Sequence, residues 1–186
     1  MRKGAVILVG GVLGVACTVT TINPYGVPPF PGTASQLVGA GGGILTTNDG
    51  TTLLIPAGAL TADVTITIGL DPTPPPLAGA RTLTSGHLFG PAGQTFVVPV
   101  CVTLSYEPGL LPAGGTQANV VLYSVVDDAG AYGALPTTAA DPTQVTAMTT
   151  QLSEVVAGFG AATEVDAGPD GDTCDASEIE AGEAGM

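Results

Sequence analysis

The chain has no tryptophan, a single histidine and only three basic residues among 186 positions. Arg2, Lys3 and Arg81 face 16 acids, giving a formal net charge of −13. A protein that binds DNA or RNA needs Lys and Arg to displace counterions from phosphate. Nucleic acid is therefore excluded as a partner. Adhesion to an anionic lipid surface by charge alone is excluded for the same reason. Charged residues are 10% of the chain, against roughly 25% in an average soluble domain. The longest apolar run, Gly4 to Val15, falls short of the about 20 residues that a spanning helix needs.

What is abundant is equally informative. Gly (28) and Pro (16) mark turns, while the many Val and Thr residues suit a pleated, half-buried surface. No segment carries a sustained apolar stripe of period 3.6, so helix beyond single turns is not expected. The length suits one domain with tails.

Met1-Arg2-Lys3, the apolar run and the small Ala16 before Cys17 form the layout of an export signal over residues 1–16. Leu13-Gly14-Val15-Ala16-Cys17 resembles the bacterial lipobox, with Leu13 one place ahead of its usual position. The resemblance implies lipidation of Cys17, and Thr18 after it favours the outer membrane, on its periplasmic or surface face. The alternative is an ordinary secretory signal cut nearby. Residues 17–40 then read as the lipidated cysteine and a tether, stiffened by Pro24, Pro28, Pro29 and Pro31.

Residues 41–160 carry the strand signals. Gly43–Thr46 and Thr52–Ile55 flank Asn48-Asp49-Gly50, a turn that tolerates positive φ, which predicts a hairpin. Val64-Thr65-Ile66-Thr67-Ile68 alternates with period two, as a strand with one buried face does. Pro72, Pro74, Pro75 and Pro76 then predict a loop or edge segment to about His87. Alternation resumes over Val100–Tyr106 and Val120–Val125, and after the Asp127-Asp128-Ala129-Gly130 turn a short strand is expected at Tyr132–Leu135. Gln144–Thr149 and Glu154–Phe159 complete about eight strands. The expected fold is all-β, an antiparallel β-sandwich. Residues 161–186 hold eight of the 16 acids and almost nothing apolar, so they read as a disordered acidic tail.

Three blocks together resemble the ZU-five domain of netrin receptors, ankyrins and bacterial exported lipoproteins. They are Gly42-Gly43-Ile44-Leu45, then Leu54-Ile55-Pro56-Ala57-Gly58-Ala59-Leu60, then Phe89-Gly90-Pro91-Ala92-Gly93-Gln94-Thr95-Phe96. The resemblance extends over roughly 40–160 and implies a sandwich used for protein contact or as a spacer. Some relatives cleave themselves at a His-Phe-Ser triplet. Here that place reads Gln151-Leu152-Ser153, so Ser153 lacks the activating imidazole and is expected to be an ordinary strand residue.

Sites of chemistry are sparse. His87 sits in a Gly-rich stretch with no flanking motif and reads as a solvated loop residue. Gly39 to Gly43 lacks the Lys-Ser/Thr of a phosphate loop. Asp166 to Asp172 places Gly168 and Ser177 where a calcium loop needs ligands. Cys101, on the outward face of its strand, and Cys174 can pair with each other, pair between molecules or stay free. Two cysteines alone do not close a zinc site.

No catalytic, cofactor-binding or metal-binding residue is therefore expected, and no cofactor. The function read from these residues is a membrane-anchored lipoprotein whose non-catalytic sandwich serves protein–protein interaction or envelope structure. Its partner would be another envelope or extracellular protein. The alternative is a secreted hydrolase, or a self-cleaving domain using Ser153.

Overall fold

A computed structural model describes residues 32–126, 130–160 and Cys174. The export signal, Cys17, the prolines of the tether, the Asp127–Ala129 part of the predicted turn and the acidic tail apart from Cys174 lie outside the described residues. Within them the chain is a two-sheet antiparallel sandwich.

The strands run in order: β1 (Ala34–Val38), β2 (Gly43–Thr46), β3 (Thr52–Ile55), β4 (Val64–Asp71), β5 (Arg81–Thr82), β6 (Gly86–Gly90), β7 (Thr95–Ser105), β8 (Val120–Val125), β9 (Tyr132–Ala134), β10 (Thr137–Asp141), β11 (Gln144–Gln151) and β12 (Glu154–Phe159). Two 3-10 turns of three residues each, Pro108–Leu110 and Gln117–Asn119, are the only helical pieces among the described residues. One sheet has the order β1-β4-β6-β12-β8-β9, with β5 also pairing β12 beyond the end of β6. The other has the order β10-β11-β7-β3-β2.

Alternation dictates the core. Ile66 and Ile68 of β4 point inward while Thr65 and Thr67 face water. Val100, Val102 and Leu104 of β7 do the same, and meet Leu53, Ile55, Leu122, Val145 and Val155 in one apolar cluster between the sheets. Several of these side chains lose essentially all contact with water. Burying each contributes about 1.5–3 kcal/mol.

The predicted hairpin forms as β2 and β3, with Gly50 at φ +87° in its turn. The Gly39–Gly43 run makes a tight reversal, with the Gly42 N–H donating to the Gly39 carbonyl at 3.1 Å. Gly42 has φ +75°, and a side chain there would collide with the backbone carbonyl of Ile55.

The structure adds strands that were not expected, so the count rises from about eight to twelve. The folded unit begins at Ala34, inside the segment read as tether. β1 was concealed because Ser35, Gln36 and Leu37 are all exposed and only Val38 is deeply buried. The segment read as a loop or edge to about His87 contains β5 and the start of β6. Gly86 and Gly90 look like turn residues in sequence, yet β6 pairs on one side with β4 and on the other with β12. Gly86 sits tightly in this strand, where a Cβ would press on Pro74 and Asp71 and displace the Glu154 carboxylate.

Candidate functional site

Thr47 to Thr51 close the β2–β3 hairpin. The Thr47 N–H donates to the Thr51 carbonyl at 2.9 Å and the Gly50 N–H to the Thr47 carbonyl at 3.1 Å. Asp49 organises this turn from inside. Its Oδ1 accepts from the Thr51 N–H at 3.1 Å and from the Thr47 hydroxyl. Its Oδ2 reaches across to the other sheet, 3.0 Å from Nε2 of His87 on β6. Partial burial on its own would raise the Asp49 carboxyl. The hydrogen bonds from Thr47, His87 and Thr51 and the neighbouring imidazole outweigh that and hold it at about 2, below the usual 3.8.

This corrects the expectation for His87. It is a strand residue, only 4% exposed, and its place on β6 turns it inward beside Phe89 rather than out to solvent. With Asp49 ionised, the ring carries its proton on Nε2, which points between Asp49 Oδ2 and Thr51 Oγ1, also at 3.0 Å. A nucleophilic relay needs the carboxylate on one ring nitrogen and the hydroxyl on the other. Here both crowd one nitrogen, Thr51 is 1% exposed, and the buried Nδ1 has no hydrogen-bond partner. The arrangement is a clasp between sheets, not a relay.

The clasp forms the floor of an open cleft of about 1060 Å³, where the β2–β3 turn meets the ends of β4, β6 and β7. Pro72, Pro74 and Pro76 form one wall, and Tyr106 to Pro108 with Leu110 form the other. Asp49 and Glu107 give the lining two carboxylates, and none of the described residues lining it is Lys or Arg. Tyr106 is 5% exposed, yet its hydroxyl has no partner. Burial first, and the Asp141 charge second, push its phenol above the usual value.

Ser153 is placed differently from the expectation: it lies in the short link between β11 and β12, with its hydroxyl donating to the Glu154 carbonyl at 3.2 Å. Among the described residues no three His, Cys, Asp or Glu side chains converge on a point that would hold a metal ion.

A second feature lies on the outer face of the five-stranded sheet. Cys101 and Cys174 are joined by a disulfide, Cα to Cα 5.7 Å, closing 73 residues of chain. Cys101 stands in register with Leu54 and Met148, and Leu54 with Ile44. One step along, Thr46, Thr52, Thr103 and Thr146 form a parallel row. Within it the Thr103 and Thr146 hydroxyls are 2.8 Å apart.

The architecture defines the class: a two-sheet antiparallel β-sandwich module with an open, largely apolar cleft. Within that class, residues 34–123 match the family model of the ZU5 domain, the ZU-five class, whose members are protein-interaction domains. No curated protein matches the chain. The match begins with β1 and stops inside β8, short of the 160 expected from sequence. Even so, β11 and β12 beyond it occupy interior positions in the two sheets. The clasp, Tyr106 and Glu107 all fall inside the matched stretch.

Proposed function

We propose that this is an exported lipoprotein, held by lipid on Cys17, whose sandwich binds another envelope or extracellular protein without catalysing a reaction. The carrying observation is the ZU5 match across the stretch that builds the cleft. The basic start, apolar run and small residue before Cys17 support export, and the Thr after the cysteine supports an outer-membrane address. A Cys101–Cys174 disulfide fits the same address, since disulfides persist in oxidising compartments.

The test is the mass of the protein extracted from host membranes, measured with and without reductant, followed by cross-linked partner capture. A species starting at Cys17 with acyl mass, intact after reduction and cross-linked to another protein, supports the reading. An unlipidated species starting elsewhere removes the anchor. Two pieces meeting at Leu152-Ser153 after reduction would replace the binding module with a self-cleaving domain.

A further inference from the structure

The disulfide lies outside the apolar core. Cys101 is absent from the cluster that joins the two sheets, although its neighbours Val100 and Val102 both belong to it. It points outward from β7, the middle strand of the five-stranded sheet, into a groove of about 220 Å³. Ile44, Leu54, Thr103 and Thr146 line that groove, and so does Cys174. Residues on the outer face of a sheet are ordinarily open to water, yet Cys101 and Thr146 are only 8% and 7% exposed. Cys174, bonded to Cys101 from outside the sheet, is the described residue that covers them.

The two halves of the bond are not equivalent. Cys101 is buried beneath it, whereas Cys174 is half-buried and is the half that solvent reaches. A thiolate exchanges with the sulfur to which it has access. Cys174 is in no strand, so the ladders joining β10, β11, β7, β3 and β2 stand without it. Opening the bond therefore removes no rung from the sheet and no side chain from the core cluster.

We propose that the Cys101–Cys174 bond is a redox latch, which a dithiol reductant opens from the folded state to lift Cys174 off the sheet and bare the groove. A thiolate of the reductant attacks Cys174 Sγ and forms a mixed disulfide. Cys101 Sγ leaves with the electron pair and takes a proton. The second thiol of the reductant then attacks the reductant's own sulfur in the mixed disulfide, closing an internal disulfide and freeing Cys174 as a thiol. Two electrons thus pass to the bond, and the two protons of the dithiol end on the two cysteines. The latched form presents Cys174 on this face, and the open form presents Ile44, Leu54 and the Thr103–Thr146 pair. Neither the lipid anchor nor a partner is needed for the switch.

Reduction kinetics separate a latch from a staple that yields only when the whole fold opens. The full chain is treated with dithiothreitol at several urea concentrations below its unfolding transition, and free thiols are counted by maleimide mass labelling. The expected rate is proportional to dithiothreitol and insensitive to urea. A rate that climbs with urea in step with the unfolded fraction, or that stops responding to dithiothreitol, overturns the proposal.

Hydroxyl-radical footprinting then reads the face itself, comparing the parent with Cys174→Ser. Labelling of Ile44 and Leu54 is expected to rise about twofold in the variant, with the core residues Leu53 and Val102 unchanged. The parent, reduced, capped with iodoacetamide and freed of reductant, repeats the measurement should the variant fail to fold. Equal labelling of Ile44 and Leu54 in the open and latched forms overturns the proposal. A rise at Leu53 and Val102 in the reduced parent also overturns it, because the bond would then be holding the core together.

Discussion

His87 Nε2 and Asp49 Oδ2 lie 3.0 Å apart across the two sheets, so one hydrogen bond ties the β2–β3 turn to β6. Its effect on stability depends on pH through the carboxyl. Folding lowers the Asp49 value from 3.8 to about 2, so its contribution is complete above the unfolded value. As pH falls, the unfolded chain takes up the proton first, and the contribution drains away between about 4 and 2. The urea midpoint of the parent is expected to drop through that window. Asp49→Asn, already weaker at neutral pH, should show a shallower acid decline, and parallel declines would count against the clasp.

Tyr106→Phe deletes an unpartnered buried hydroxyl and leaves the ring in the core. The variant is expected to be more stable than the parent by about 1 kcal/mol, read as a raised urea midpoint at unchanged slope. Loss of stability instead would mean that the hydroxyl has a partner in solution.

Leu53 is fully buried where the two sheets meet. Leu53→Ala removes its transfer free energy and leaves a cavity, so a loss of about 3 kcal/mol is expected in chemical denaturation. A loss below about 1 kcal/mol would show the surrounding side chains collapsing into the space.

Cys174→Ser opens the loop closed by the disulfide. Chain entropy gained by the unfolded state should lower stability by about 2–4 kcal/mol, with a matching fall when the parent is reduced. Reductant should leave the variant unchanged. A parent that is insensitive to reductant would argue that the two thiols are not joined.

Much of the sandwich was legible because its signals are local. The Val64–Ile68 alternation and the Asn48-Asp49-Gly50 turn each specify backbone shape within a few residues, and the structure has β4 and the β2–β3 hairpin there. β10, a local partner of β11, was missed, and β1, β5 and β6 were missed because they are short and owe their form to neighbours distant in the chain. The cleft was invisible for the same reason. Asp49 read only as turn chemistry and His87 only as a solvated residue, although 38 positions separate a bonded pair. One signal was available: His87 and Phe89 stand two apart around Leu88, the spacing of one strand face, and Phe89 is buried. Cys101 differs in that its outward position followed from the alternation around Val100 and Val102, while its pairing did not.

The Cys101–Cys174 bond turns β8 through β12 into a covalent ring. Any single peptide bond hydrolysed between those cysteines, Leu152–Ser153 included, yields a nicked chain that still travels as one molecule until a reductant opens it. Under the proposed lipidation of Cys17, a protease cutting between Cys17 and β1 would instead release the entire sandwich in one cut. The second half of the fold is thus guarded against scission, and under the proposed anchoring the whole is detachable at its root.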